Sequence, residues 1–187
     1  MENNVIGIVR NMFPKQGERK PFVYENVIFI DPGKGGTGFA FFEWLNTKPT
    51  KKQIAKPTAT GAYAPKRRGS ALWQSEIADI CFWFAGLLES YNVETVVLEY
   101  QAIYQSAKGN AAAQKGDIQK LTYLTGGLGH VSRLTVDTEP ALVLPRQWKG
   151  QLPKDVVLDR VEEAFGIKCQ DHEGDAVGMG LSAQGLL

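Results

Sequence analysis

Acidic side chains stand at three places in this chain where chemistry is commonly built. Asp31 ends the apolar run Val27–Asp31 (VIFID), and Glu99 closes the apolar part of Val93–Tyr100 (VETVVLEY). Asp171, His172, Glu173 and Asp175 crowd the start of the last helix-forming segment. Short apolar runs bounded by turn signals read as buried strands. The carboxyl ends of strands in an α/β sheet are where sites form. If the two strands are neighbours, Asp31 and Glu99 lie together and the last helix lays one face across them. Gathered carboxylates repel one another unless a cation bridges them, and oxygen ligands select hard cations such as Mg²⁺ or Mn²⁺. Two such ions about 4 Å apart activate a water and stabilise the leaving oxygen in phosphodiester cleavage. Singly, each acid has a plain structural reading, as a turn residue or an N-cap. Their joint order along an α/β pattern is what points to a metal-dependent site.

Spacing within the last segment leaves a choice open. Asp171 and Asp175 are i,i+4 and His172 and Asp175 are i,i+3, so either pair shares a helix face. The stretch AVGMGL follows. This end of the helix therefore packs inward, and Asp175 falls at the core edge. An uncompensated charge there is costly, and a metal ion would compensate it.

The elements that must position these groups follow from periodicity. Val27–Asp31 and Thr37–Trp44 are expected to form a hairpin across the turn-rich PGKGGT. Residues 46–70 are polar and basic, with a third strand expected near Lys52–Lys56 and a mobile loop after it. A helix is expected over Leu72–Ser90, with Leu72, Ile77, Ile80, Phe84, Leu87 and Leu88 on its apolar face. The strand Val93–Tyr100 comes next. A long helix from Asn110 to about Leu134 carries Leu121, Leu124, Leu128 and Val131 at steps of three and four. Gly126, Gly127 and Gly129 weaken it and suggest close packing against the sheet. Ala141–Leu144 reads as a short strand, Pro153–Phe165 as a helix begun by proline and ended by Gly166, and His172–Gln184 as the final helix. A hairpin followed by alternating strands and helices argues a mixed β-sheet flanked by α-helices, an α/β fold. Residues 1–21 are expected as an N-terminal arm and 22–187 as one domain.

Composition narrows the class. The 187 residues are 43% apolar and 22% charged, ordinary for a globular domain large enough to bury a core. No run of 18 apolar residues exists, which argues against a transmembrane helix, and the N-terminus lacks the pattern of a secretory signal. Two cysteines, Cys81 and Cys169, are too few for a disulfide framework. Cys81 reads as a buried free thiol, and a reducing, cytoplasmic setting is the expectation. The net charge of +1 hides an asymmetry: residues 1–70 hold 12 basic and 5 acidic side chains, and residues 71–187 hold 9 and 15. From Trp44 to Ser75 no acid occurs, while Lys48, Lys51, Lys52, Lys56, Lys66, Arg67 and Arg68 do. A basic lobe beside an acidic one suits phosphate binding next to metal-binding carboxylates.

Four segments together resemble the signature regions of RuvC-type Holliday junction resolvases: Ile30–Ala40 (IDPGKGGTGFA), Val96–Ser106 (VVLEYQAIYQS), Val143–Asp155 (VLPRQWKGQLPKD) and Asp171–Leu181 (DHEGDAVGMGL). The resemblance spans about residues 27–184 and has a bacteriophage-type flavour. It implies an RNase H-like nuclease domain and a homodimer bound to a four-way DNA junction. It further implies Mg²⁺ or Mn²⁺, two ions per site, and paired symmetric nicks leaving 5′-phosphate and 3′-hydroxyl ends. Asp31, Glu99, His172 and Asp175 match the family's metal-binding and catalytic positions. The match selects His172 over Asp171, with Glu173 projecting about 100° away. His172 would ligate metal or move a proton. Lys149 and Lys154 match basic groups near the scissile phosphate, with Arg146 beside them and Trp148 read as core. Tyr104 would stack on junction bases, and Gln105 and Lys108 would contact backbone. The basic loop Lys48–Arg68 matches no motif of the family, and it is from charge that Lys51, Lys52, Arg67 and Arg68 are read as phosphate contacts. The resemblance implies no membrane partner, and a bacterial or phage-host cytoplasm.

Two other readings compete. A less selective RNase H-like nuclease would act on flaps, branched DNA or RNA–DNA hybrids. An actin- or sugar-kinase-like nucleotide-binding protein would use Asp31–Gly38 as a phosphate loop, but it requires a second lobe and a second glycine-rich loop that the sequence lacks.

Overall fold

A computed structural model describes residues 5–15, 17–33, 35–66, 73–100 and 116–187. Five strands form one sheet: β1 (Val23–Asp31), β2 (Thr37–Asn46), β3 (Ala59–Tyr63), β4 (Thr95–Glu99) and β5 (Ala141–Val143), in the order β3-β2-β1-β4-β5. β1, β2 and β3 are an antiparallel meander, while β4 and β5 join parallel to β1. The helices are α1 (Val5–Met12), α2 (Trp73–Ser90), α3 (Asp117–Val136), α4 (Pro145–Trp148), α5 (Lys154–Phe165) and α6 (Asp171–Ala183). This is the expected mixed sheet with helices on both faces.

Alternation along the strands divides the core in two. Val27, Phe29, Ala40, Phe42, Val97 and Val143 face α1, α5 and α6. Ile28, Ile30, Phe39, Phe41, Val96 and Leu98 face α2 and α3. A strand covered on both faces reads as an unbroken apolar run, which is why VIFI was legible as buried.

Three expectations need correction. The third strand is not near Lys52–Lys56: Lys51–Gln53 is a 3₁₀ turn, and the strand lies in Ala59–Tyr63, inside the stretch expected as a mobile loop. The segment expected as an arm contains α1, and Ile8, Met12 and Phe13 are buried in the same core as α6. The glycines of α3 do not meet the sheet. A Cβ on Gly127 would come 2.9 Å from Cys81 Sγ on α2, so the close approach is between helices. Cys81 itself is free and half-buried.

Polar side chains tie the N-terminal segment and the basic strap that joins β2 to β3 to the end of α6. Arg19 Nη1 donates to the carbonyls of Ala183 (2.6 Å), Thr47 (2.8 Å) and Met12 (3.4 Å), and Nη2 to that of Ser182 (3.1 Å). Helix-end carbonyls lack intrahelical partners and carry partial negative charge, so a guanidinium satisfies both needs. The buried Gln184 accepts from the Ala55 amide (2.7 Å) and donates to its carbonyl (2.9 Å). Arg19→Ala should lower the free energy of unfolding by about 2 kcal/mol, the range for hydrogen bonds from a charged, partly buried donor. Urea unfolding checks this, and an unchanged midpoint would remove Arg19 from the account.

Candidate active site

Asp31 and Glu99 are the last residues of β1 and β4. These strands are parallel neighbours in the register Ile30↔Leu98, so each acid stands one residue beyond that pair. Two-residue alternation from Phe29 and Val97 turns both side chains toward α6. Asp31 is 2% exposed, Glu99 4% and Asp175 6%.

The start of α6 lies directly over them. His172 Nδ1 is 2.6 Å from Asp31 Oδ2. Glycine makes this approach possible. A Cβ on Gly38, which pairs with Asp31 across the hairpin, would collide with the His172 backbone, and one on Gly33 would collide with the His172 ring. Asp171 opens the helix with φ +30°, an unfavourable conformation for a residue with a side chain, at the position that sets the helix down on the strands. Glu173 turns away, as helix geometry requires, and accepts from Thr60 Oγ1 at 2.8 Å.

Each acid has a donor. Lys149 Nζ lies 3.3 Å from Asp175 Oδ1, and Lys154 Nζ lies 3.1 Å from Asp175 Oδ2. Lys154 also bonds to the exposed Asp171. The indole N–H of Trp148 donates to Glu99 Oε2 at 2.7 Å. Sequence reasoning read Trp148 as core. It is buried, but its polar atom serves the site, and nothing in the pattern PRQWK says where that atom points.

Electrostatics follow from burial. Loss of water, then the nearby Asp31 charge, push the Glu99 carboxyl up to about 7, against the Lys149 charge and the Trp148 bond. Burial also raises Asp31, although the His172 bond opposes it. The Asp31 bond raises His172, since it favours the imidazolium. Lys154 holds Asp171 below its usual range.

Among the described residues, no three Asp, Glu, His or Cys side chains converge as a metal cage in the present arrangement. The donor chemistry fits a hard cation all the same: the site offers three buried carboxylates as oxygen donors, and burial and then neighbouring carboxylate charge raise the proton affinity of Asp31 and Glu99, while two lysine ammoniums supply positive charge at Asp175.

The remaining predicted residues are scattered. Arg146 is exposed on α4. Lys51 and Lys52 are exposed at the far end of α6, beside the Ala55–Gln184 bonds. The 13 residues of α6 put them about 20 Å from the carboxylates. Tyr104, Gln105, Lys108, Arg67 and Arg68 lie outside the described residues.

The fold is that of RuvC-type resolvases, within the RNase H-like class. Thermus thermophilus RuvC in complex with Holliday junction substrate superposes with a TM-score of 0.65 at 20% identity, over 85% of this chain and 92% of that one. Another Thermus thermophilus RuvC structure gives 0.62 at 17% identity, over 86% and 92%. The yeast mitochondrial Holliday junction resolvase Ydc2 gives 0.57 at 15%, over 95% and 85%. No protein-family model and no curated protein matches the sequence.

The raised Glu99 carboxyl yields a pH prediction. The folded state holds a proton up to about 7 that the unfolded chain releases near 4.5, so the contribution of this group to stability is fully present below 4.5 and is lost as pH rises through about 7. Glu99→Gln should remove a loss on the order of 3 kcal/mol across this window. Urea unfolding in a chelator between pH 4.5 and 8 measures it, and parallel profiles for the two proteins would contradict the burial of the charge.

Proposed function

We propose that this protein is a metal-dependent Holliday junction resolvase of the RuvC type, acting on four-way DNA as a homodimer in a bacterial or phage-infected cytoplasm. The observation that carries the reading is the seating of His172 and Asp175, from one helix, over Asp31 and Glu99 on adjacent parallel strands, with two lysines at hand. That the fold matches resolvases across most of both chains supports it.

Asp31, Glu99, His172 and Asp175 would hold Mg²⁺ or Mn²⁺, with two ions per site. When bound, the cation supplies Lewis-acid activation of water and of the phosphoryl oxygens. The chain's own groups do the rest. Asp31 orients the His172 ring through Nδ1, which leaves Nε2, 3.7 Å from Asp171 Oδ2, either to ligate the cation or, in its place, to take or give a proton near the attacking water. Lys149 and Lys154, now spent on Asp175, carry the charge that steadies a phosphate as negative charge develops. The products would be symmetric nicks with 5′-phosphate and 3′-hydroxyl ends. Tyr104, Gln105, Lys108, Arg146, Arg67 and Arg68 would contact the junction near the cut. Lys51 and Lys52 would contact a more distant arm.

An apolar face supports the homodimer. α2 and α3 enclose a groove of about 910 Å³ lined by Ile77, Ala78, Cys81, Tyr123 and Val131. Phe82 and Leu134, on the same two helices, are 84% and 73% exposed. A second copy covering this face would remove apolar area from water.

Asp31→Asn should abolish Mg²⁺-dependent cleavage of a mobile four-way junction while leaving junction affinity within a few-fold. Equal cutting of flaps or RNA–DNA hybrids by the wild type would move the function to a general nuclease, and equal loss of binding and cleavage in the folded variant would reject the site. Phe82→Asp should shift the protein from dimer to monomer in sedimentation and turn paired nicks into unpaired ones. A monomeric wild type that still makes paired nicks would contradict this. Junction affinity should also fall steeply with salt through counterion release. A flat salt dependence would argue against the phosphate contacts.

A further inference from the structure

Trp148 ends α4 and is 4% exposed. Its position is over-determined. Ser182 Oγ on α6 donates to the Trp148 carbonyl at 2.6 Å. Gly178 leaves room for the ring, since a Cβ there would lie 3.0 Å from it. Lys149 Nζ sits 4.7 Å from the ring centroid. The indole is therefore a rigid donor, and its N–H meets Glu99 Oε2 at 2.7 Å.

A tryptophan that only fills space is satisfied by any carbonyl. Here the partner is a carboxylate of the candidate site. The last torsion of a glutamate is broad and roughly two-fold, so packing alone holds it poorly. A fixed N–H on one oxygen constrains the plane of the group, whose charge is felt by Asp31 and Asp175. We propose that Trp148 is a positioning residue for Glu99: its indole N–H holds the carboxylate in the rotation that a divalent cation requires, so the cation affinity of the site depends on that bond. The inference deepens the metal-dependent reading above and rests on it.

Partners of metal-ligating groups typically change affinity or activity about 10–100-fold when removed. The test is Mn²⁺ binding to the whole protein by calorimetry, without DNA, alongside junction cleavage across a range of Mn²⁺ concentrations. Trp148→Phe keeps most of the ring and loses the N–H. It should bind Mn²⁺ about 10-fold more weakly or worse, and cleavage should recover at high Mn²⁺. Phe165→Leu, at the far end of α5 in the same core, should lower stability and leave Mn²⁺ affinity unchanged. Wild-type affinity in Trp148→Phe, with affinity lost in Asp31→Asn, would overturn the role of Trp148 and leave the resolvase reading intact. A wild type that neither binds Mn²⁺ nor cuts junctions would overturn both. Should Trp148→Phe fail to fold, indole N–H signals provide a second readout. One of the four should shift on adding Mg²⁺ and in Glu99→Gln, and four signals indifferent to both would overturn the proposal.

Discussion

Burying like charges side by side is unfavourable unless each finds a donor that remains in place. Asp31, Glu99 and Asp175 are all nearly inaccessible, and each is satisfied by a different element: Asp31 by His172 at the start of α6, Glu99 by Trp148 on α4, and Asp175 by Lys149 and Lys154 from the turn after α4 and the start of α5. The packing of this end of the molecule follows from that requirement. α4 ends at Trp148, the residue whose indole delivers the N–H. α6 must touch the strands because its second residue must reach Asp31.

That contact depends on the absence of side chains. Gly33 and Gly38 leave the hairpin bare where α6 lands, and any Cβ there would lift the helix away from the acids. The other end of α6 is pinned by groups far from the site. Arg19 gathers carbonyls from the ends of α1 and α6, and Gln184 ties the strap at Ala55. The N-terminal segment and the basic strap are thus bonded to the end of α6 opposite His172 and Asp175.

Local signals read the strands well. VIFID and VVLE are apolar on both faces because helices cover both sides of the sheet, and that pattern survives without any knowledge of topology. The helices α2, α5 and α6 were similarly visible. The third strand was not, because Ala59–Tyr63 (ATGAY) is a short edge strand of mostly small residues with no fully buried position, and what holds it, its ladder to β2 and the stacking of Tyr63 on Trp83, lies outside its own pattern. The packing of α1 was also hidden. A polar stretch after a short apolar one looks like an arm until Arg19 is seen to close it onto α6.

Residue order along the chain already carries the chemistry available: carboxylates at two strand ends, a helix start on which either Asp171 or His172 shares a face with Asp175, and lysines before it. These depend on spacing along one chain, where geometry is set by the period of strand and helix. The tertiary structure alone decided how the acids are held. That β1 and β4 are neighbours, that glycines admit the His172 ring, that Lys149 and Lys154 share Asp175, and that a core tryptophan turns its one polar atom to Glu99 are all contacts between residues distant in sequence. The direction of a side chain's last polar atom depends on everything packed around it, and no local pattern encodes that.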